Sequence, residues 1–327
     1  MIIDFQHHYT PPHLLKSAKV QAMPINRAGK VPKYYVPPAL LDLDEQIRAM
    51  DYAGIDMAVL TCGLGMDGSD LEICRLVNDA MQEAVRRHPA RFLTLAHAPA
   101  LGGAKAMEEL ERCAGEYGVP GVVTTSEIDG RPLDSPELDP FWKTCERLGL
   151  YVFVHPALRP NVGEHLDAHD LVRAVGREFS LTTAMLRLVI GGVLDRYPGL
   201  KVQFGHLAGN AAVHFGRLRG FLQRENWGTA GDPVHGRVPE GPLEYYLHNN
   251  LWFDTAGIFG SVNAVRATLS EIEATRVVFG TDYPLEIRTD EDLKNFVNGL
   301  RALGPDGNAI LSSSAEALLR PARSVAA

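Results

Sequence analysis

The chain has 327 residues and a net charge of −8, and 46% of its residues are hydrophobic and 22% charged. This composition is typical of a globular enzyme with a large core, and the acidic balance offers no basic face to nucleic acid or anionic lipid. No apolar run approaches the roughly 20 residues that span a bilayer, and the opening "MIID" lacks the layout of a secretion signal. Cys62, Cys74, Cys113 and Cys145 form no CxxC pair, as expected of reduced thiols. We therefore expect a cytoplasmic protein without nucleic-acid or membrane partners.

Eight short runs along the chain have strand character. Several are continuously apolar rather than alternating, which is typical of parallel strands buried on both faces. In chain order they are "IIDFQ" (2–6), "MAVLTC" (57–62), "FLTLAH" (92–97), "GVVTTS" (121–126), "YVFVH" (151–155), "KVQFGH" (201–206), "LWFDTA" (251–256) and "RVVFGTD" (276–282).

Stretches of helical periodicity separate these runs. The clearest, "SDLEICRLVNDAMQEAVRRH" (69–88), opens on a Ser/Asp capping signal and ends in basic residues. Others are "LDEQIRAMDYAG", "AKAMEELERCAGEYG", "DPFWKTCERLG" and "SLTTAMLRLVIGGVLDRY". Eightfold strand–helix alternation predicts an α/β fold, a (β/α)8 barrel forming one domain over residues 1–327. A doubly wound open sheet is the alternative, but no GxGxxG motif follows the first strand.

Two segments fall outside the alternation. Residues 10–40 are rich in proline and lysine and predict a long loop over the mouth of the barrel. Residues 226–243, "NWGTAGDPVHGRVPEGPL", predict a second long loop.

Polar side chains stand where the predicted strands end. The first strand carries Gln6 and His8, and the fifth, sixth and eighth end at His155, His206 and Asp282. Active sites of such barrels lie at the C-terminal ends of the strands, so these side chains should converge at one rim. Two imidazoles and a carboxylate can bind a divalent metal such as zinc and leave positions open for water or substrate.

Several longer phrases strengthen this interpretation. They are "IIDFQHHYTPP", "IRAMDYAGIDMAVL", "LDSPELDPFWKTCERLGLYVFVHP", "GGVLDRYPGLKVQFGHLAG", "LWFDTAG" and "RVVFGTDYP". In this order, and over nearly the whole chain, the sequence resembles the amidohydrolase superfamily, specifically the branch typified by aminocarboxymuconate-semialdehyde decarboxylase. The resemblance implies a one-metal barrel that decarboxylates, hydrates or hydrolyses small unsaturated or aromatic carboxylates.

The resemblance also implies roles for the polar residues at the strand ends. The metal-binding HxH of the family's first strand falls on Gln6 and His8, its next metal histidine on His155, its catalytic histidine on His206 and its carboxylate on Asp282. Benzoate-decarboxylating relatives often replace the first histidine with glutamate, whereas this chain has a neutral, weakly ligating amide. The metal would then be held mainly by the other three ligands. A metal-free pocket, as in some lactonase relatives, stays open.

The leading functional hypothesis is a metal-dependent, non-oxidative decarboxylase. One Zn²⁺ or Mn²⁺ ion would bind the substrate carboxylate, Asp282 would exchange a proton with the reacting carbon, and His206 would act beside it. Gln6 is a candidate ligand or substrate contact. Arg48 is a candidate clamp for the substrate carboxylate, although an exposed helix arginine fits equally well. The alternatives are a hydrolase or hydratase, and a catalytically dead ligand-binding barrel. The resemblance alone suggests a homodimer.

Overall fold

A computed structural model describes residues 1–17, 36–66, 70–222 and 239–320. Short strands recur through these residues, and each of the eight predicted runs overlaps at least one of them. The strands are β1 (Ile3–His8), β2 (Met57–Thr61), β3 (Phe92–Thr94), β4 (Ala96–His97), β5 (Gly121–Thr125), β6 (Glu127–Ile128), β7 (Arg131–Pro132), β8 (Tyr151–His155), β9 (Val202–Phe204), β10 (Leu251–Asp254) and β11 (Val277–Val278).

Helices follow the strands in alternation. They are α1 (Leu43–Ala53), α2 (Leu71–Arg87), α3 (Gly103–Arg112), α4 (Asp139–Leu148), α5 (Arg177–Ile190), α6 (Val193–Arg196), α7 (Phe215–Leu222), α8 (Leu243–Asn249), α9 (Val262–Leu269), α10 (Asp290–Arg301), α11 (Pro305–Asn308) and α12 (Ser314–Leu319). Their boundaries follow local chemistry. The Asp70 carboxylate caps α2 by accepting from the amides of Glu72 and Ile73, and Gly54 ends α1 at a φ of 75°.

All the strands except β6 and β7, which form a separate antiparallel pair, make a parallel ring built from two ladders. One ladder has the order β1–β2–β3 and the other β4–β5–β8–β9–β10–β11, and β3 and β4 are two pieces of the third barrel strand. The ring is completed where β1 meets the residues that follow β11. Phe5 N donates to Phe279 O, Asp282 N to Gln6 O, and His8 N to Tyr283 O, each at 2.8 Å. The predicted (β/α)8 barrel is therefore confirmed.

Two apolar clusters account for the burial of the strands. Inside the barrel, side chains from most strands meet, among them Phe5, Tyr151, Phe153 and Trp252. A larger cluster fills the layer between strands and helices. Burial on both faces explains why the strand sequences are continuously apolar.

The pairing of β1 with β2 contains an irregularity that determines which way the side chains of Gln6 and His8 point. Ile3 and Phe5 lie in the cluster inside the barrel, so strict alternation would turn Gln6 and His8 outward. The register shifts between Asp4 and His7. This bulge turns the later part of the strand over and directs Gln6 and His8 to the interior.

The predicted loops coincide only in part with the described residues. Of residues 10–40, the described ends carry single 3₁₀ turns at Leu14–Lys16 and Pro38–Leu41. Residues 18–35, and 223–238 of the second predicted loop, lie outside the described residues. Within the described ranges, no helix has the length and apolarity that crossing a bilayer requires. The assignment of residues 1–327 to one domain stays a prediction.

Candidate metal centre and active site

Three buried side chains converge at the C-terminal rim of the barrel. His8 ends β1, His155 ends β8 and Asp282 follows β11, and their potential ligand atoms all lie within 4.8 Å of one another. His8 Nε2 is 2.5 Å from Asp282 Oδ1. The three residues are only 3%, 6% and 6% exposed. The sequence placed these side chains at one rim, and the fold brings them together.

Hydrogen bonds orient both imidazoles with Nε2 toward the centre of this cluster. The Nδ1–H of His155 donates to the carbonyl oxygen of Pro156 at 2.8 Å. The Nδ1–H of His8 donates to Thr61 Oγ1 at 2.9 Å, and that hydroxyl donates to the carbonyl of His7. Fixing Nδ1 as the protonated nitrogen leaves the Nε2 lone pair free to ligate.

The donor set fits a divalent ion. His8 Nε2 is buried and lies against the Asp282 carboxylate. Burial, helped by the neighbouring His8, lowers the pKa of His155 well below its ordinary value, so that ring is neutral. Burial opposes ionisation of Asp282, but the imidazole of His8 outweighs it and lowers the pKa of Asp282 to about 2. Two imidazoles and one carboxylate form a set of ligands that both zinc and manganese accept.

The backbone is strained at Asp282 and at the neighbouring His206. Asp282 has a φ of 54° and His206 a φ of 56°, both in the left-handed region that non-glycine residues seldom occupy. Such strain is retained where the surrounding structure enforces it, commonly at functional sites. It brings potential ligand atoms of both side chains within 4.8 Å of each other.

His206 lies beside the three-residue cluster and is held at both ring nitrogens. Nδ1 donates to Glu178 Oε1 at 2.8 Å, and Nε2 is 3.3 Å from the side-chain amide of Gln6. Burial disfavours the imidazolium, but the Glu178 carboxylate outweighs it and raises the pKa of His206 to about 10. A Cβ on Gly257 would lie 2.0 Å from the ring, so only glycine admits the imidazole there.

Gln6 is fully buried between His206 and Asp254. The amide orientation that satisfies every group has its NH2 donating to the Asp254 carboxylate at 3.1 and 3.2 Å. Its carbonyl oxygen then accepts from His206 Nε2 at 3.3 Å. Both ends of the amide therefore have hydrogen-bond partners, Asp254 at one end and His206 at the other.

Residues 3–306 match the amidohydrolase family (Amidohydro_2). The chain belongs to this family. It is 29% identical over 294 residues to the 2-amino-3-carboxymuconate-6-semialdehyde decarboxylase of Dictyostelium discoideum, an alignment covering 83% of this chain and 79% of that protein. It is 30% identical over 283 residues to the gamma-resorcylate decarboxylase of Polaromonas sp. (strain JS666), with 80% and 84% covered. The resemblance inferred from the sequence is confirmed.

A solved structure supports the fold. The dihydroxybenzoic acid decarboxylase of Polaromonas sp. JS666, with bound manganese and the inhibitor 2-nitroresorcinol, superposes with a TM-score of 0.78. The superposition covers 97% of this chain and 96% of that one at 24% identity. The similarity establishes a shared barrel, and the family membership rests on the sequence matches above.

Arg48 is not brought to the site. It lies on α1 with a side chain that is 61% exposed, and its guanidinium pairs with Asp290 and lies 3.9 Å from Glu45. The interpretation of Arg48 as a clamp for the substrate carboxylate stays a prediction, and these surface carboxylates, which already engage its fork, argue against it. The exposed-helix alternative describes its position.

Two acidic residues at the site were missed from the sequence. Glu178 stands near the start of α5, where a glutamate is ordinary, so no sequence signal indicates its contact with His206. Glu286 ends the phrase "DYPLE" that begins at Asp282, and that closeness in the chain was the available signal. It forms with His206 and Asp282 a second group of potential ligand atoms within 4.8 Å. Burial and the nearby Asp282 raise the pKa of Glu286 to about 7.

Behind the ligands, a buried carboxylate joins the first and last barrel strands. Asp4 accepts from the Thr281 amide at 3.1 Å, from the Thr281 hydroxyl at 2.5 Å and from His7 Nδ1 at 2.8 Å. The His7 ring stacks on Tyr283 with centroids 5.1 Å apart. This network holds the backbone of His8 and Asp282 side by side.

Proposed function

We propose that the protein is a metal-dependent, non-oxidative decarboxylase of a small aromatic or unsaturated carboxylic acid. The observation that carries the proposal is the cluster of His8, His155 and Asp282 beside a separately held His206. The decarboxylase relatives named above act on acids of this class. The favoured substrate carries a hydroxyl or carbonyl oxygen next to its carboxylate, because two adjacent oxygens can share one metal.

The proposed cofactor is one Zn²⁺ or Mn²⁺ ion held by His8, His155 and Asp282. When bound, the ion supplies a Lewis acid and a template that orients the carboxylate and its neighbouring oxygen. Manganese is the metal in the Polaromonas structure. Gln6 is the remaining candidate ligand, and its hydrogen bonds to Asp254 and His206 argue against that role.

Decarboxylation replaces the carboxylate on a carbon by a proton, so the site must deliver one proton per turnover. We assign that delivery to Asp282, which lies against both His206 and Glu286. A carboxyl group of low pKa gives up a proton readily once it carries one. Glu286, whose pKa is raised to about 7, is partly protonated at neutral pH and lies against Asp282, so a proton from solvent can pass through it to Asp282 as Asp282 gives its own to the carbon. His206, whose raised pKa keeps its ring protonated at neutral pH, provides a fixed positive charge beside Asp282.

Product analysis tests the proposal against its alternatives. The metal-loaded protein is incubated with 2,6-dihydroxybenzoate, other hydroxybenzoates, muconates and lactones in ¹⁸O-labelled water. The expected result is carbon dioxide and the arene or alkene, with no label in the organic product. A hydrolase or hydratase would instead introduce labelled oxygen without releasing carbon dioxide. A ligand-binding barrel would turn over nothing, although intact His8, His155, His206 and Asp282 argue against it.

The oligomeric state and compartment complete the proposal. We propose a homodimer, as the family resemblance suggests, and sedimentation at micromolar concentration showing only a 35.8 kDa species would contradict it. We also propose a cytoplasmic location without nucleic-acid partners. All four cysteines are free and buried, which suits a reducing compartment.

A further inference from the structure

Close packing restricts the side chain of Gln6 to one conformation. The residue is fully buried, and two glycines that follow β9 and β11 pack against it. A Cβ on Gly205 would come within 3.0 Å of the end of its amide, and one on Gly280 within 3.3 Å of its Cβ. Close packing of this kind holds a side chain in one rotamer. Gln6 is therefore built into the wall of the site.

Asp254 explains why position 6 needs a hydrogen-bond donor. Its carboxylate is fully buried at the end of β10 and accepts from Gln203 Nε2 at 2.8 Å. It also accepts from the backbone amides of His206 and Ala256, each at 3.1 Å. Together with the NH2 of Gln6, these groups surround the carboxylate with N–H donors. A buried carboxylate surrounded by donors is an acceptor only, and an acidic neighbour would repel it.

On its other side, Gln6 faces an N–H donor. The Nδ1 of His206 donates to Glu178, and Nε2 points at the carbonyl oxygen of Gln6. Position 6 must therefore donate to a carboxylate and accept from an imidazole with the same short group. An amide does both. A glutamate would instead place a carboxylate oxygen about 3 Å from those of Asp254, and two such acceptors repel because no hydrogen lies between them.

We propose that Gln6 is a positioning residue that ties His206 to Asp254, and that Asp254, rather than the metal, determines the amide at position 6. His206 is thereby fixed between two partners, Glu178 on one side and the Gln6–Asp254 pair on the other. The role given to His206 rests on the proposed decarboxylase activity. The pairing of Gln6 with Asp254, and the absence of Gln6 from the metal ligands, do not.

The first experiment compares Gln6→Leu with Gln203→Leu. Both variants remove one amide that donates to Asp254, but only Gln6 contacts His206. Metal retained during dialysis against graded chelator is measured by elemental analysis, and kcat and KM are measured on metal-loaded protein. We expect both variants to retain metal within about twofold of wild type, and Gln6→Leu alone to lose about tenfold or more in kcat. Loss of metal in Gln6→Leu would overturn the proposal by showing Gln6 to be a ligand.

The second experiment keeps the proposal testable if Gln6→Leu folds poorly. The thermal midpoint is measured for wild type, Gln6→Glu, Asp254→Asn and the double variant, all stripped of metal. We expect Gln6→Glu to lower the midpoint by several degrees and Asp254→Asn to restore most of that loss, because the double variant exchanges donor and acceptor. Additive effects, or a Gln6→Glu variant as stable as wild type, would overturn the pairing. Neither measurement needs a substrate, so failure of the decarboxylase assignment would be seen separately.

Discussion

At the scale of single residues, the site combines ligand chemistry with strained backbone. Asp282 supplies the one carboxylate of the His8, His155 and Asp282 cluster and also lies against His206 and Glu286. Its left-handed φ of 54° is a strained conformation of the kind that clusters at functional sites. A residue in this position should be required for both metal binding and turnover.

Replacing Asp282 by asparagine should abolish decarboxylation. Asparagine tolerates the left-handed backbone, so the change removes the ligand charge and the proton carrier without removing the conformation. We expect turnover at least about a hundredfold below wild type, with weaker metal retention. Carbon dioxide release and bound metal are measured on the same sample. A variant that keeps a tenth of the wild-type rate would show Asp282 to be structural only.

His206→Asn should separate rate from metal binding. His206 also has a left-handed φ, which asparagine accepts, and it lies outside the three-ligand cluster. We expect a large loss of kcat with bound metal unchanged, measured by steady-state kinetics and elemental analysis. Loss of the metal in this variant would mean that His206 is a ligand.

The His206–Glu178 pair should give a defined pH dependence of stability. The folded-state pKa of His206, about 10, lies above its ordinary value of 6.5, so the pair stabilises fully below about pH 6.5 and loses its effect as pH rises toward 10. Glu178→Gln should therefore lower the thermal midpoint most near pH 6.5 and least near pH 10. Thermal melts of metal-stripped wild type and variant across this range measure the difference. A difference that stays constant or grows with pH would contradict the assignment.

At the scale of elements, the sequence predicted which residues end the strands, but it did not predict which way their side chains point. "YVFVH" predicts both a buried strand and a histidine at its rim, because one periodicity and one rule of barrel architecture suffice. The bulge in β1 turns Gln6 and His8 inward and depends on pairing with β2. The run "IIDFQ" contains no residue pattern that predicts it. The contact of Glu178 with His206 joins residues 28 positions apart through tertiary packing alone.

The eighth strand shows a second such difference. The sequence predicted a strand over 276–282, but the regular ladder with β10 ends at Val278. Beyond it the chain leaves β10 and bonds to β1, and Thr281 donates to the buried Asp4. The Asp4 network therefore determines where Asp282 stands.

Thr281→Val should weaken metal binding by disturbing the Asp4 network that supports the ligands. The change leaves Asp4 without its hydroxyl donor, which costs about 1–3 kcal/mol for a buried acceptor. We expect a lower thermal midpoint together with weaker metal retention. Thr268→Val is the matched control, since that buried hydroxyl donates to the carbonyl of Ala264 within α9. If both variants lose stability but retain metal equally, the Asp4 network does not organise the ligands.

At the scale of the whole molecule, one barrel brings residues from distant parts of the chain to a single rim. His8 and Asp282 are neighbours because β1 bonds to the residues after β11, and His155 joins them from across the ring. The family and the barrel could be predicted from the sequence, because ordered motifs indicate the family and the periodicity of apolar residues indicates the barrel. The surface position of Arg48 could not, because its pairing with Asp290 depends on how α1 meets the start of α10.

The most direct measurement is carbon dioxide release as a function of bound metal. Protein stripped of metal is reconstituted with manganese or zinc in steps, and each sample is assayed with 2,6-dihydroxybenzoate and the wider acid panel while its metal is counted. A metal-dependent decarboxylase with the three-ligand site predicts no release without metal and a linear rise that levels off at one ion per chain. Equal release from the metal-free protein, or no release from any acid at one ion per chain, would contradict it.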